Sequence, residues 1–240
     1  KGESLVILVE LVKPQSDWQV LDVATGAGHT ALTFAPHVAH VVAADLTEAM
    51  LTKTAKLATE RGLTNIETKI ADAEALPFDD ASFDLVTCRL AFHHFPNPRQ
   101  TLGEFVRVLK PGGALGFTDN ITVLNKQAAS YYNAYEKLRD PSHHWVYPLV
   151  RLQAMFEEAG LQVTAARELN KELEFHDWAD RQHVSEADKE KLLEMMRNIP
   201  RALNPLFAPR WAGGTMYFNL WETVIVAKKR IQDENKQPNP

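Results

Sequence analysis

The chain has 240 residues, of which 45% are hydrophobic and 24% charged, a balance typical of a globular protein and not of a disordered or fibrous one. Its 26 basic and 31 acidic residues give a formal net charge of -5, which offers no general attraction to nucleic acid, and no apolar run approaches the roughly 20 residues of a membrane span. A single cysteine, Cys88, excludes an intramolecular disulfide and multi-cysteine chemistry, and favours a cytoplasmic enzyme.

The first half of the chain alternates short apolar, β-branched runs with amphipathic segments. The runs predict strands over 18–24, 41–44, 66–70, 83–88 and 114–118. The amphipathic segments predict helices over about 29–39, 47–61 and 101–109. Strands that alternate with helices in this way predict a parallel, doubly wound sheet with helices on both faces.

Beyond Asn120 this rhythm changes. Helices are predicted over 127–139, 149–159 and 185–196, with a loop over 141–148, and strands over 163–175 and 216–227 that are antiparallel to each other. We therefore predict one domain over 1–240 with a Rossmann-like, doubly wound α/β fold in three layers, whose seven-stranded sheet is mostly parallel with an antiparallel last strand. A substrate-covering insertion at about 121–160 and a helical insertion at about 176–212 interrupt it, and the polar tail 233–240 is predicted to fray.

A glycine-rich turn follows the first predicted strand, and ligands bind such sheets at the carboxyl ends of their strands. Gly26 and Gly28 allow the backbone to approach a ligand closely, and the following helix offers free N–H groups. Residues 26–31 satisfy the relaxed G-x-G-x-x-G/A pattern, so the turn by itself fits a nicotinamide cofactor as well as another nucleoside.

Three carboxylates at successive strand ends distinguish between these two classes of cofactor. Asp22 is unfavourable beside a pyrophosphate but suits a ligand with ammonium and sulfonium charge, and Asp45 can accept both hydroxyls of a ribose. Asp72 can accept from an adenine amino group, with Leu76 and Phe78 as an apolar wall. Each acid could instead cap a helix or turn, but three in register favour a cationic nucleoside cofactor.

In these motifs the sequence resembles the class I S-adenosylmethionine-dependent methyltransferases, and especially the ubiquinone and menaquinone biosynthesis methyltransferases. The segments that carry the resemblance are 20–28, 42–45, 72–78, 83–86 and 107–113. The resemblance implies S-adenosyl-L-methionine as the cofactor. The residues that it implies around the cofactor are Asp22, Ala24, Thr25, Gly26 and Gly28 at the methionine part, Asp45 and Leu46 at the ribose, Asp72 and Ala73 at the adenine, Arg89 near the methionine moiety and Leu90 over the sulfonium. Arg89 could instead form an ion pair with Asp84 or Glu104.

Methyl transfer from a sulfonium depends mainly on orienting the acceptor and excluding water, so a general base is optional. The candidate bases are His143, His144, His93 and Asp119. His93 and His94 could instead have a purely structural role, because adjacent residues rarely face one site. The nine histidines show no metal-binding spacing, so no metal is expected.

The predicted function is that of a cytoplasmic methyltransferase, monomeric or homodimeric, that methylates a small aromatic or apolar metabolite similar to a quinone precursor. No nucleic acid or membrane span is expected. Two alternatives stay open: a nicotinamide-dependent oxidoreductase, supported by the glycine pattern and Asp45, and a non-catalytic S-adenosylmethionine-binding protein. The residues do not distinguish O-, N- and C-methylation.

Overall fold

A computed structural model describes residues 2–231, which form a central sheet with helices on both faces. The strands are β1 (Gln19–Val23), β2 (His40–Asp45), β3 (Ile66–Ile70), β4 (Phe83–Arg89), β5 (Leu109–Asn120), β6 (Leu161–Glu174), β7 (Arg210–Ala212) and β8 (Thr215–Lys229). The α-helices are α1 (Glu3–Val12), α2 (His29–Phe34), α3 (Glu48–Glu60), α4 (Pro98–Val108), α5 (Lys126–Arg139), α6 (Leu149–Glu158), α7 (Phe175–Asp180), α8 (Glu186–Arg197) and α9 (Asn204–Phe207). Short 3-10 helices occupy Ala35–His37 and Phe92–His94. The tail predicted to fray lies outside the described residues.

The strand order is β3-β2-β1-β4-β5-β8-β6, with β7 paired to β8. The pairs among β1 to β5 are parallel, whereas β8 is antiparallel to both β5 and β6. This confirms the predicted doubly wound sheet with its antiparallel last strand. The eighth strand is the three-residue β7, which the sequence analysis placed in a helical insertion. The strand order reverses between β1 and β4, so the loops after these two strands diverge and open a crevice at their carboxyl ends.

The two faces of the sheet carry separate apolar layers because side chains alternate along each strand. Leu21 and Val42 face a core formed with α4 and α6, and Val20 and Val41 face a core formed with α1 and α2. In the stretch predicted to cover the substrate, α6 instead packs against the sheet, with Leu152, Met155 and Phe156 in the first core.

Helix α1 is absent from the sequence prediction, because its apolar residues show no clear amphipathic period. It packs across β5 at Gly116, where an added Cβ would lie 3.2 Å from Leu8 Cδ1 and 3.3 Å from Val12 Cγ2. A glycine in the strand therefore allows the helix to approach closely. Across the described residues 2–231, no helix combines the length and the hydropathy that crossing a bilayer would require.

A third apolar cluster lies beyond the carboxyl edge of the parallel strands. The pairing of β5 with β8 ends at Asn120 and Glu222, so the preceding residues of β8 extend past the sheet core. They pack with α5, α7, α8 and α9, and Tyr135 stacks on Trp178 with ring centroids 5.2 Å apart. This cluster, which we call the edge cluster, places a helical layer beside the crevice.

Candidate functional site

The turn between β1 and α2 has a strained backbone and an open outer side. Gly26 and Gly28 have φ values of +55° and +78°, and Ala24 has a φ of +52°. An added Cβ at Gly26 would meet nothing within 4 Å, whereas one at Gly28 would lie 2.5 Å from Thr54 Cγ2. The Thr54 hydroxyl donates to the Gly26 carbonyl at 2.9 Å. Helix α3 thus closes one side of the turn, and the side at Gly26 stays open for a ligand.

Gly28→Ala is expected to lower the free energy of unfolding by about 2 kcal/mol, because it adds left-handed strain and a clash with Thr54. Gly26→Ala is the matched control: it adds similar strain without a clash, so its cost should be about 1 kcal/mol. Thr54→Ser removes the clashing methyl group and should restore part of the stability of Gly28→Ala. Urea denaturation of the three variants and the double variant measures the coupling. Equal losses for both glycines would contradict this account.

Asp22 lies beneath the turn, where it is buried and fully engaged within the protein. Its carboxylate accepts from Thr25 Oγ1 at 2.6 Å, from the Ala31 N–H at 3.1 Å and from Thr87 Oγ1 at 2.7 Å. Burial raises the pKa of Asp22, and the three hydrogen bonds oppose that rise. The Asp22 side chain thus braces the turn from below, together with Thr25, and its predicted place at the methionine part of the cofactor stays a prediction.

One cavity, of about 470 Å³, lies on the outer side of this turn, at the ends of β2 and β3. We call it the Asp45 cavity. It brings together the predicted residues Ala24, Asp45, Leu46, Asp72 and Ala73. Asp45 accepts from the Gly26 N–H at 2.8 Å and from the Thr47 N–H at 2.9 Å, and Asp72 accepts from the Glu74 N–H at 2.9 Å. Both acids thus have the turn-capping role considered above, and both also line the cavity.

The apolar wall of the Asp45 cavity differs from the prediction. Leu76 and Phe78 pack against the sheet core, and Phe78 makes an edge contact with Phe83 at 5.2 Å between centroids. Phe95 and Pro96 line the cavity instead. Phe95 and Pro96 directly follow the 3-10 helix after β4, and the sequence pattern did not predict that helix.

A second cavity, of about 390 Å³, lies between the ends of β4 and β5 and the edge cluster, and we call it the His93 cavity. Arg89, Leu90 and Asn120 line its sheet side, and His94 lines both cavities. The two cavities therefore adjoin along the loop after β4, where Leu90 has a left-handed φ of +54°.

Arg89 is not used in the ion pairs that the sequence left open. Asp84 pairs with Lys110 and Glu104 pairs with Arg107. The Arg89 Nε instead donates to Thr30 Oγ1 at 3.3 Å, and the side chain lines the His93 cavity. The Arg89 guanidinium therefore lies at the carboxyl ends of the strands, with no carboxylate paired to it among the described residues.

His93 and Asp119 form a close pair on the wall of this cavity. The Nδ1 atom of His93 lies 2.5 Å from Asp119 Oδ1, and Asp119 Oδ2 accepts from the His93 backbone N–H at 2.9 Å. Burial lowers the pKa of His93, but the charge of Asp119 and its hydrogen bond outweigh burial, so the net shift is upward. Within the described part of the chain, His93 Nε2 makes no hydrogen bond. The adjacent His94 also lines the cavity, because a 3-10 turn does not alternate its side chains as a strand does.

The other two predicted bases lie away from the open space. His143 is buried behind His93, with ring centroids 5.5 Å apart, and its Nε2 donates to Asn133 Oδ1 at 2.8 Å. Burial, with the charges of His93 and His94, lowers the pKa of His143 to about 4. His144 is exposed and lines neither cavity, although its backbone N–H donates to the His93 carbonyl at 2.8 Å. Neither ring is therefore placed as a base.

Sequence reasoning missed the distal wall of the His93 cavity. Its charged residues are Arg139, Asp140, Lys171, Arg181 and Glu222, and its apolar residues are Leu173, Trp178 and Leu220. They lie in or directly after α5, β6, α7 and β8, so no local motif could have grouped them. Among residues 2–231, no three His, Cys, Asp or Glu side chains are arranged to hold a metal ion.

Comparisons with known proteins agree with this geometry. A family model described as a methyltransferase domain matches residues 21–117, from β1 to β5. The uncharacterized methyltransferase YcgJ of Bacillus subtilis (strain 168) is 35% identical over 191 residues, which cover 80% of this chain and 75% of YcgJ. The demethylmenaquinone methyltransferase of Clavibacter sepedonicus is 38% identical over 138 residues, covering 57% of this chain and 55% of that enzyme.

Solved structures extend the likeness to almost the whole chain. The crystal structure of a Bacillus halodurans C-125 protein described as a methyltransferase has a TM-score of 0.91 at 37% identity, covering 95% of this chain and 100% of that one. The YcgJ structure has a TM-score of 0.92 and covers 96% of this chain and 99% of that one. These findings confirm the predicted family and disfavour the nicotinamide alternative. The chain belongs to the S-adenosylmethionine-dependent methyltransferases.

Proposed function

We propose that the Asp45 cavity holds the adenosine part of S-adenosylmethionine, and that the His93 cavity holds a small methyl acceptor from which His93 removes a proton. When bound, S-adenosylmethionine supplies a methyl group on a positively charged sulfur, which is already an activated electrophile. The observation that carries the proposal is the His93–Asp119 pair, which lies beside the loop where the two cavities adjoin.

The residues of the Asp45 cavity fit a nucleoside. An ionised carboxylate offers about four lone-pair sites, so Asp45 keeps acceptor capacity for ribose hydroxyls beyond its two backbone partners. Asp72 is exposed toward the cavity and can accept from an amino group, while Ala73 and Phe95 offer apolar contact to a flat base. The open space at Gly26 leaves room for the part of the ligand that passes the turn.

Asp45→Ala is expected to weaken binding of S-adenosylhomocysteine by about 2 kcal/mol, or about thirtyfold in Kd, because it removes the ribose acceptor and the support of the Gly26 N–H. Isothermal titration calorimetry measures this, with NAD as the comparison ligand. Asp79→Ala is the control, since Asp79 is exposed and lines neither cavity. Unchanged affinity in a folded Asp45→Ala variant would refute the ribose assignment.

The hydrogen bond to Asp119 selects the role of each His93 nitrogen. Because Asp119 accepts from Nδ1–H, the neutral ring carries its lone pair on Nε2, the nitrogen without a protein partner. An acceptor hydroxyl or amine that donates to Nε2 becomes a better nucleophile as the proton leaves. Asp119 then stabilises the protonated ring. This arrangement favours catalysis over a role in binding alone.

The acceptor that fits best is a small molecule with an ionisable hydroxyl or amine on an aromatic or apolar body. Leu173, Trp178 and Leu220 offer apolar contact for that body, and a phenolic quinone precursor is one example. The test is release of S-adenosylhomocysteine over a panel of phenols and amines. At least one of these classes should be turned over, at a rate that rises with pH as His93 loses its proton. No turnover by protein that binds the cofactor would count against this acceptor class.

A further inference from the structure

The His93 cavity is lined by more positive than negative charge. The cavity is lined by four permanently cationic side chains and two carboxylates. The cations are Arg89, Arg139, Lys171 and Arg181, and the carboxylates are Asp140 and Glu222. An acceptor without charge would leave this excess uncompensated.

Both carboxylates are already engaged by the protein. Asp140 accepts from the Ser142 N–H at 2.9 Å, from Ser142 Oγ at 2.5 Å and from Gln182 Nε2 at 3.2 Å. Glu222, which is buried, accepts from Lys171 Nζ. The charge of Lys171 is thereby neutralised, whereas Asp140 has only neutral hydrogen-bond donors and keeps its negative charge. The charges that remain in the cavity are those of Arg89, Arg139 and Arg181 against that of Asp140.

Arg139 is held rigidly with a guanidinium that is only partly neutralised. It lies over the Trp178 ring, 4.4 Å from the centroid, and its Nε and Nη2 donate to the Trp178 carbonyl at 3.3 and 3.2 Å. Its Nη1 lies 3.8 Å from Glu136 Oε2, too far for a hydrogen bond. Burial lowers the pKa of Arg139; the charges of Glu136 and Asp140 oppose this, and the charge of Arg181 adds to it.

Arg181 follows α7 and lines the same cavity. Its side chain is exposed, and within the described residues 2–231 that side chain makes no hydrogen bond or ion pair. Arg139 and Arg181 line the same cavity, and the charge of Arg181 lowers the pKa of Arg139. Solvent screens the exposed Arg181, and an anion that binds both guanidinium groups would remove the repulsion that remains. Arginine is suited to this task because its planar fork can bind a carboxylate or phosphate through two parallel hydrogen bonds.

We propose that Arg139 and Arg181 form an anion subsite, so that the methyl acceptor carries a carboxylate or phosphate group in addition to its nucleophile. This inference rests on the proposed function for the identity of the cavity's occupant. The subsite adds a selection that the apolar residues cannot provide: a neutral analogue of the same shape would leave both guanidinium groups unpaired. It also revises the expected acceptor from a purely apolar metabolite to an anionic one.

The test is calorimetric titration of the full chain with benzoate, phenyl phosphate and neutral benzamide, each with and without saturating S-adenosylhomocysteine. We expect at least one anion to bind about tenfold or more tightly than benzamide, and Arg181→Gln to weaken that anion about tenfold without changing benzamide or S-adenosylhomocysteine affinity. Arg61→Gln is the matched control, because it removes the same charge from an exposed side chain outside both cavities. The tighter of the two anions indicates whether the natural group is a carboxylate or a phosphate.

Equal binding of anions and benzamide, no anion binding up to 50 mM, or anion binding that Arg181→Gln and Arg61→Gln weaken equally would each overturn the subsite. The failure of the proposed function has a different signature. In that case S-adenosylhomocysteine would not bind, while the titrations without it would still decide whether the two arginines hold an anion.

Discussion

Replacing His93 with glutamine is expected to lower kcat by about 10²- to 10⁴-fold, the usual contribution of a general base, while S-adenosylhomocysteine binding stays unchanged. The reason is geometric: among the candidate bases, His93 combines a cavity-lining position with a free ring nitrogen and a carboxylate partner. Turnover is measured with the acceptor that the panel identifies, and binding is measured by calorimetry on the same preparation. His144→Gln is the control, since that side chain is exposed and lines neither cavity.

Asp119 is expected to act through His93 as a positioning residue. Its charge raises the pKa of the ring, so Asp119→Asn should lower that pKa and shift the rising limb of kcat/KM to lower pH, besides reducing the rate. An NMR titration of the His93 ring resonances reports this shift independently of turnover.

Full activity in a folded His93→Gln variant would show that orientation and water exclusion suffice and that His93 is not the base.

Acid is expected to destabilise the fold through His143 by about 3 kcal/mol between pH 6.5 and pH 4. The pKa of this buried imidazole is about 4 in the folded chain, against about 6.5 for an unperturbed histidine. Between these two pKa values the imidazole is protonated in the unfolded chain but not in the folded chain, so the free energy of unfolding rises with pH from 4 to 6.5. The contribution is fully present above pH 6.5 and is lost as the pH falls toward 4.

The measurement is urea denaturation of the wild type and His143→Gln at several pH values between 4 and 7. Glutamine can still donate to Asn133 Oδ1 but does not titrate, so the variant should lose less stability as the pH falls. The comparison is needed because Asp22 and Glu136 have raised pKa values, which stabilise the fold as the pH falls and act against His143. Parallel curves for the two proteins would show that His143 does not couple protonation to folding.

The local sequence pattern was sufficient to predict the parallel strands β1 to β5. Apolar runs that alternate with amphipathic segments predicted β1 to β5 and their parallel direction, because burial on both faces selects such runs. Ala24 of the glycine turn and the acids Asp45 and Asp72 could be predicted to lie together at one edge of the sheet, since parallel strands end on the same side, and they line one cavity there. These inferences needed only residues that are close together in the chain and the geometry of a βαβ unit.

The periodicity of the sequence did not predict features that depend on the direction of a side chain or on a contact between distant residues. Helix α1 depends on packing at Gly116, and Asp22 turns inward because Thr25 and Thr87 offer it hydrogen bonds. The choice of His93 among the histidines depends on Asp119, which is 26 positions away along the chain.

The sequence by itself therefore determined the fold class, the cofactor class and the edge of the sheet at which the proposed cofactor site lies, because those follow from residues close together in the chain. Only the tertiary structure decided which of the predicted bases lines the His93 cavity and which charged side chains surround that cavity. Arg139 and Arg181 line the same cavity as Leu90 and His93 because the edge cluster folds back over the strand ends. That arrangement depends on packing between distant segments, and no spacing in the sequence encodes it.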